Sequence, residues 1–224
     1  MKKLCLIAGH TQGEGEGARN LKTNETENMI TRALLPGIYK TIKKEILTDL
    51  CPFDYLLWKK IYFVNNQQSH PDITIEFHLD SSTKRTEKGA MCYYYGGSPT
   101  SQKKAKEILD IYCLTTGIQN NGVRPDTASR FGRSGIIRDT MGWAFLFELG
   151  SINNDLEAIK NNATKGILAM LRFLFKKEKK DYPPHTIWAK DLGIIDNFDE
   201  LKNKITLDQF LSYLKKYHQN KNAR

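Results

Sequence analysis

The sequence predicts an α/β fold, a mixed and mostly parallel sheet flanked by helices on both faces, followed by a small helical C-terminal module. Three observations carry this expectation. Short apolar runs that stop at glycine or small polar residues read as buried strands. They alternate with longer segments of helical periodicity, which implies a sheet covered by helices. A charged, proline-bearing stretch at 176–184 then reads as a linker ahead of two short helical patterns. The expected division is a domain at 1–175, a linker at 176–184 and a module at 185–224.

Leu4–Ala8 is a short apolar run stopped by Gly9 and is read as the first strand. After a glycine-rich loop, Asn24 is positioned to cap a helix whose apolar residues Ile30, Leu34, Ile38, Ile42 and Ile46 recur every four positions, with Pro36 expected to kink or break it. Ile61–Val64 is read as a strand. Ile73–Leu79 is a better one, bounded by Pro71 and by Asp80-Ser81-Ser82. Met91–Tyr95 forms another, closed by Gly96-Gly97. Ser101–Thr116 has helical spacing, Trp143–Leu149 is a strand ending at Gly150, and Asp155–Phe175 is an amphipathic helix. In the tail, Thr186–Leu192 and Thr206–Tyr217 have helical patterns.

Composition narrows the class. Hydrophobic residues make up 40% and charged residues 26%, the balance of a globular chain and not of a disordered one. No run of about 18 apolar residues exists to span a bilayer. The apolar stretch after Lys2-Lys3 is too brief for a signal-peptide core, so the expectation is synthesis in the cytoplasm without a signal peptide. Cys5, Cys51, Cys92 and Cys113 are scattered with no CxxC pair, which argues for buried free thiols over a cysteine zinc site or a disulfide scaffold. A net charge of +9 favours an anionic partner but does not choose among nucleic acid, a membrane surface and an anionic wall polymer.

Four residues with ligand or acid/base chemistry fall where elements begin or end: His10, Glu25, His78 and Glu148. In open α/β sheets, sites form beyond the carboxyl ends of strands, where His10, His78 and Glu148 belong. Two histidines and a carboxylate suit Zn²⁺ with one position open for water, and a further acid would serve as base. A histidine at a strand end is also a common structural hydrogen-bonder, so placement alone leaves both readings open. There is no HExxH helix.

The motifs together go further. Gly9-His10, Gly17-Ala18 and Asn24-Glu25, with Met29 and Ala33 at following helical positions, resemble the opening metal motif of zinc-dependent N-acetylmuramoyl-L-alanine amidases of type 3. Ile75-Glu76-Phe77-His78-Leu79-Asp80-Ser81 is similar to their second histidine motif, and Gly89 with Tyr93-Tyr94 falls where the family has a glycine and its next strand. Ile136-Ile137-Arg138 and Phe145-Leu146-Phe147-Glu148-Leu149-Gly150 resemble the catalytic-glutamate motif, with Asn154 as its closing asparagine. The chain departs from the family pattern at Ile7-Ala8, where Asp-Pro is common, and at Ser151-Ile152, where an aromatic pair is usual. The first departure removes a carboxylate that would orient His10.

The resemblance implies the amidase/phosphorylase-hydrolase-like fold, one catalytic zinc ion held by His10, Glu25 and His78, and Glu148 as catalytic acid/base. Glu25 is preferred because its spacing to Met29 and Ala33 keeps the family's helix register, and Glu27 is its rival. Glu14 and Glu16 read as solvated loop charges. Arg138 is expected to hold a substrate carboxylate or support the oxyanion, with a surface salt bridge as its plainer reading. The implied partner is bacterial peptidoglycan, with no nucleic acid and no membrane insertion. Because ligand histidines must be neutral, acid is expected to strip zinc and activity together.

The tail segments around Trp188, Phe210 and Tyr213 are similar to short helical modules that follow phage lytic amidases, implying wall binding or homo-oligomer formation, against a plain helical cap on the domain. The whole then resembles a phage endolysin that reaches the wall after membrane permeabilisation, with a host autolysin as the other source. Two competing readings remain at this level: a zinc carboxypeptidase or peptidase with the same ligands, and a non-catalytic basic wall- or nucleic-acid-binding protein.

Overall fold

The structure is a computed structural model that describes residues 3–11, 15–66, 70–81, 88–129 and 132–175. Glu14, the linker 176–184 and the module 185–224 with Trp188, Phe210 and Tyr213 lie outside the described residues. In chain order the elements are β1 (Lys3–Ala8), α1 (Glu27–Ile42), β2 (Leu47–Leu50), α2 (Leu57–Asn65), β3 (Ile73–Asp80), β4 (Ala90–Tyr94), α3 (Pro99–Thr116), β5 (Asn120–Pro125), a 3₁₀ turn at Asp126–Ala128, α4 (Gly135–Asp139), β6 (Trp143–Ser151) and α5 (Leu156–Phe175).

Six strands form one sheet in the order β2-β1-β3-β6-β4-β5. Every neighbouring pair is parallel except β4 and β6. This is the mixed, mostly parallel sheet that the alternation of strands and helices predicts.

The two faces are covered unequally. On one, Leu4, Leu6, Ile75, Phe77, Phe145, Phe147 and Leu149 pack into a large core with buried residues of α1, α3 and α5. On the other, Cys5, Ile7 and Ala144 form a smaller core with Cys51, Val64 of α2 and Ile136 of α4, against which the partly buried Tyr55, Ile61 and Phe63 pack. Strand side chains alternate between faces, so His78, two positions from Glu76, shares its face and projects to this thin side. The four cysteines are buried and in no disulfide, as their scatter predicts.

Three local expectations are corrected. Ile61–Val64 is helical: Leu57, Ile61 and Val64 recur at helical spacing, and Val64 is buried in the thin core. Pro36 does not break α1, which runs on to Ile42, because Leu35, Ile38 and Ile42 are buried on either side of it and outweigh one missing N–H. The cap of α1 is Thr26, whose hydroxyl accepts from Met29 N, and not Asn24, which has a left-handed φ of 64° in the preceding turn. That turn is fixed by Asn20, whose Oδ1 accepts from Lys22 N and Thr23 N. β2, β5 and α4 were not expected; β5 (NNGVRP) has little apolar alternation to show.

Candidate metal centre and catalytic cleft

The parallel pairing of β3 with β6 sets the site's geometry. His78 lies directly opposite Glu148 in the register, and β1 carries the chain from Ala8 through Gly9 to His10 beside them. Gly9 N donates to Phe77 O, which holds the end of β1 against β3. A Cβ on Gly9 would sit 2.5–2.7 Å from three atoms of the His78 imidazole, so only glycine allows that ring to lie where it does. His10 then adopts φ 55°, a left-handed backbone conformation uncommon outside glycine. Its ring meets that of His78 edge-on, with centroids 5.2 Å apart. Such strain is typical of sites where a side chain must be aimed.

The third member is Glu27. As the first residue of α1 it is 2% exposed and points back at both histidines: His78 Nδ1 lies 2.8 Å from Oε1, and His10 Nε2 lies 3.3 Å from Oε2. Leu79 N and Ala18 N also donate to its carboxylate. One donor atom from each of His10, Glu27 and His78 falls within a 4.8 Å cluster. A Cβ on Gly17 would strike the Glu27 carboxylate and the His10 ring, so the loop is shaped around this cluster.

Glu25 is elsewhere. Its carboxylate accepts from Lys160 Nζ of α5 at 2.6 Å on the surface. The expectation that Glu25 stands with His10 and His78 is therefore not what the geometry gives, and the cause is the cap. With α1 starting after Thr26, the residue facing the sheet's carboxyl end is Glu27, and the bridge between Arg19 and Thr26 leaves Glu25 outside.

Charge states follow from burial. Burial works against ionisation of Glu27, but the neighbouring His78 and His10 outweigh it and hold the acid below its usual range. At Glu148 burial prevails. Burial pushes it up to about 8, opposed by His78 and reinforced by Glu27, Asp80 and Glu76, and its buried Oε2 has no hydrogen-bond partner among the described residues. A carboxyl group with a pKa near neutrality can both take and return a proton. His10 is lowered, chiefly by burial. Two more charged groups that the sequence reading did not single out line the same side, Lys60 and Glu76, and burial of Glu76 is overcome by His78 and Lys60, which bring it to about 2.

Arg138 is committed to another partner. Its Nε and Nη2 donate to Asp126 Oδ2 and Oδ1 at 2.5 and 3.0 Å, and the guanidinium stacks over Tyr95. It lines a hollow with Tyr95, Ser98 and Trp143, whereas His10, Glu27, His78 and Glu148 line a larger cleft of about 1110 Å³ with Tyr93, Arg124 and Arg133. The fork expected to hold substrate is thus occupied by Asp126, a residue that no motif pointed to.

Two imidazole nitrogens and a carboxylate are a donor set suited to zinc in a site with an open position. The residues fit such an ion: the donors are clustered, the carboxylate is buried, and glycines stand where side chains would fill the space.

A family model described as N-acetylmuramoyl-L-alanine amidase matches residues 4–170. Among solved structures, the catalytic domain of the amidase CwlV from Bacillus (Paenibacillus) polymyxa var. colistinus is 21% identical, with a TM-score of 0.64 over 77% of this chain and 97% of that one. The catalytic domain of the CD27L endolysin, which targets Clostridia difficile, is 24% identical, with a TM-score of 0.61 over 76% and 94%. An N-acetylmuramoyl-L-alanine amidase from Clostridium difficile 630 is 17% identical, with a TM-score of 0.68 over 79% and 98%. None of the curated proteins compared matches the chain.

Proposed function

Since the chain belongs to the N-acetylmuramoyl-L-alanine amidase family, a group of hydrolases that cut the amide between muramoyl residues and L-alanine in peptidoglycan, we propose that it does so with a zinc ion held by His10, Glu27 and His78. The convergence of these three side chains beside Glu148 is the observation that carries this reading. A zinc ion held by His10, Glu27 and His78 would supply Lewis-acid polarisation of a carbonyl and a more acidic water at neutral pH.

The chain's own residues do the rest. Glu148 accepts the proton of the attacking water and passes it to the alanine nitrogen as the amide breaks, so one carboxylate serves both steps. A divalent cation alongside would favour the ionised form of Glu148, the form that accepts the proton. Glu27 and the histidines contribute fixed donors in a cleft of about 1110 Å³. Arg138 acts indirectly, by neutralising the buried Asp126 at the cleft wall.

The biological setting we infer is that of a phage endolysin reaching the wall after membrane permeabilisation. No helix among the described residues is long and apolar enough to cross a membrane, and the endolysin domain among the similar structures supports this setting. The division at 176–184, and wall binding or self-association by 185–224, belong to the same proposal. Incubating zinc-loaded protein with isolated sacculi, followed by mass analysis, tests the function. Intact glycan with newly freed alanine amino groups is expected, and a peptide bond cut within the stem instead identifies a peptidase. Glu148→Gln is expected to lower turnover about 10²–10⁴-fold while zinc content and thermal melting stay unchanged; an active variant would remove Glu148 from the mechanism.

A further inference from the structure

A buried chain of charges stands behind His78. Lys60 of α2 is 4% exposed and Glu76 of β3 is 5% exposed. Lys60 Nζ donates to Glu76 Oε1 at 3.1 Å and to Ala8 O, two residues before His10, at 2.7 Å. The other oxygen, Glu76 Oε2, lies 3.1 Å from His78 Nε2. That nitrogen is buried and sits off the line of a well-directed hydrogen bond, with no other partner among the described residues. The opposite ring nitrogen, Nδ1, faces Glu27.

We propose that Glu76, anchored by Lys60, is a positioning residue that fixes His78 with Nδ1 turned to the metal and Nε2–H turned to a carboxylate. This rests on the zinc reading given above. A ligand histidine commonly gives its second N–H to a carboxylate, which selects the tautomer, orients the ring and raises its donor strength. Here the alternation of β3 places that carboxylate on the same face as the histidine, two residues earlier.

Stability alone is a poor reason for the arrangement. Desolvating two charges costs about as much as their attraction returns, and apolar replacements of such pairs are often neutral or stabilising. Lys60 has a definite part: without it Glu76 would be an uncompensated buried charge beside Glu27 and Glu148. With it, Glu76 is neutralised and free to act through a single oxygen. Lys60 also ties the end of β1 to β3, so the carbonyl beside His10 and the carboxylate beside His78 share one anchor.

The test compares full-length wild type with Glu76→Gln and with the double variant Lys60→Met/Glu76→Leu, which exchanges the ion pair for apolar side chains of similar size. Zinc dissociation constants from competition with a chromophoric chelator are read beside thermal melts and visible spectra of cobalt-loaded protein. Glu76→Gln is expected to weaken zinc about 10-fold and the double variant up to about 100-fold, with shifted cobalt bands, while the double variant melts at or above the wild-type temperature. Wild-type zinc affinity and cobalt bands in the folded double variant would overturn the proposal and leave the zinc reading standing. A wild-type chain that binds no zinc would overturn both.

Discussion

Glu27 and Glu25 are two residues apart, and one side chain is buried between imidazoles while the other reaches Lys160 at the surface. The difference is chemical as well as spatial, because an exposed pair with lysine adds little to stability and nothing to a metal site. Glu27→Ala is expected to abolish zinc binding and hydrolysis, and Glu25→Ala to keep both; metal analysis after dialysis checks it, and loss of zinc from Glu25→Ala alone would reverse the assignment. The placement of His10, His78 and Glu148 at or near the carboxyl ends of strands was legible in the sequence, since each lies at or near the end of an apolar run. Glu27 was visible as the rival third ligand but was passed over by two residues of helix register. Asn24 is as good a capping residue as Thr26 in isolation, and only the Asn20-centred turn, a long-range feature, decides between them. Glu76 had left a visible sign: a charge inside the apolar alternation of β3, on the face of His78.

Pairs of elements are held by contacts that sequence periodicity does not display. The 3₁₀ turn and α4 are joined by Asp126 and Arg138, and Asp126 is fully buried. Burial works against its charge, yet Arg138 and the N–H of Gly96 outweigh it and keep the carboxyl below its usual range. A depressed folded pKa gives stability that is present above the unfolded value of about 4 and lost as pH falls through the folded value. Asp126→Asn is therefore expected to destabilise the protein at pH 7 and to converge with wild type in acid, read from denaturant midpoints at both pH values. Between α3 and α5 the close approach is at Gly166, where a Cβ would lie 2.5 Å from Thr116 Cγ2 and 2.9 Å from Tyr112 Cδ2. Both neighbours are fixed, Thr116 by the Tyr112 carbonyl and Tyr112 by the Leu149 carbonyl. Overpacking costs about 1–3 kcal/mol against about 1 kcal/mol gained in helix propensity, so Gly166→Ala is expected to lower stability by up to about 2 kcal/mol; a stabilised variant would show that the helices part freely. The long elements were legible from apolar period alone, as in α5. α2 was mistaken for a strand because a four-residue apolar run lacks the length to reveal its period.

Across the molecule the unequal covering of the sheet explains where chemistry takes place. Three helices seal one face with a large core, while α2 and α4 leave the other thin, and the polar residues of β3 and β6 emerge there at the strands' carboxyl ends. Fold class was readable because strand and helix periodicities alternate along the chain, whereas the reversed direction of β4 against β6 depends on pairing between distant segments. A net charge of +9 suits an anionic wall but specifies no site, so the functional assignment depends on the cleft. The central claim is that His10, Glu27 and His78 share one ion with Glu148 beside it. Diffraction from zinc-soaked crystals at the zinc absorption edge measures this directly. A single anomalous peak within coordination distance of those three side chains is the predicted result; a peak bound through Glu25, or none in this cleft, would contradict it.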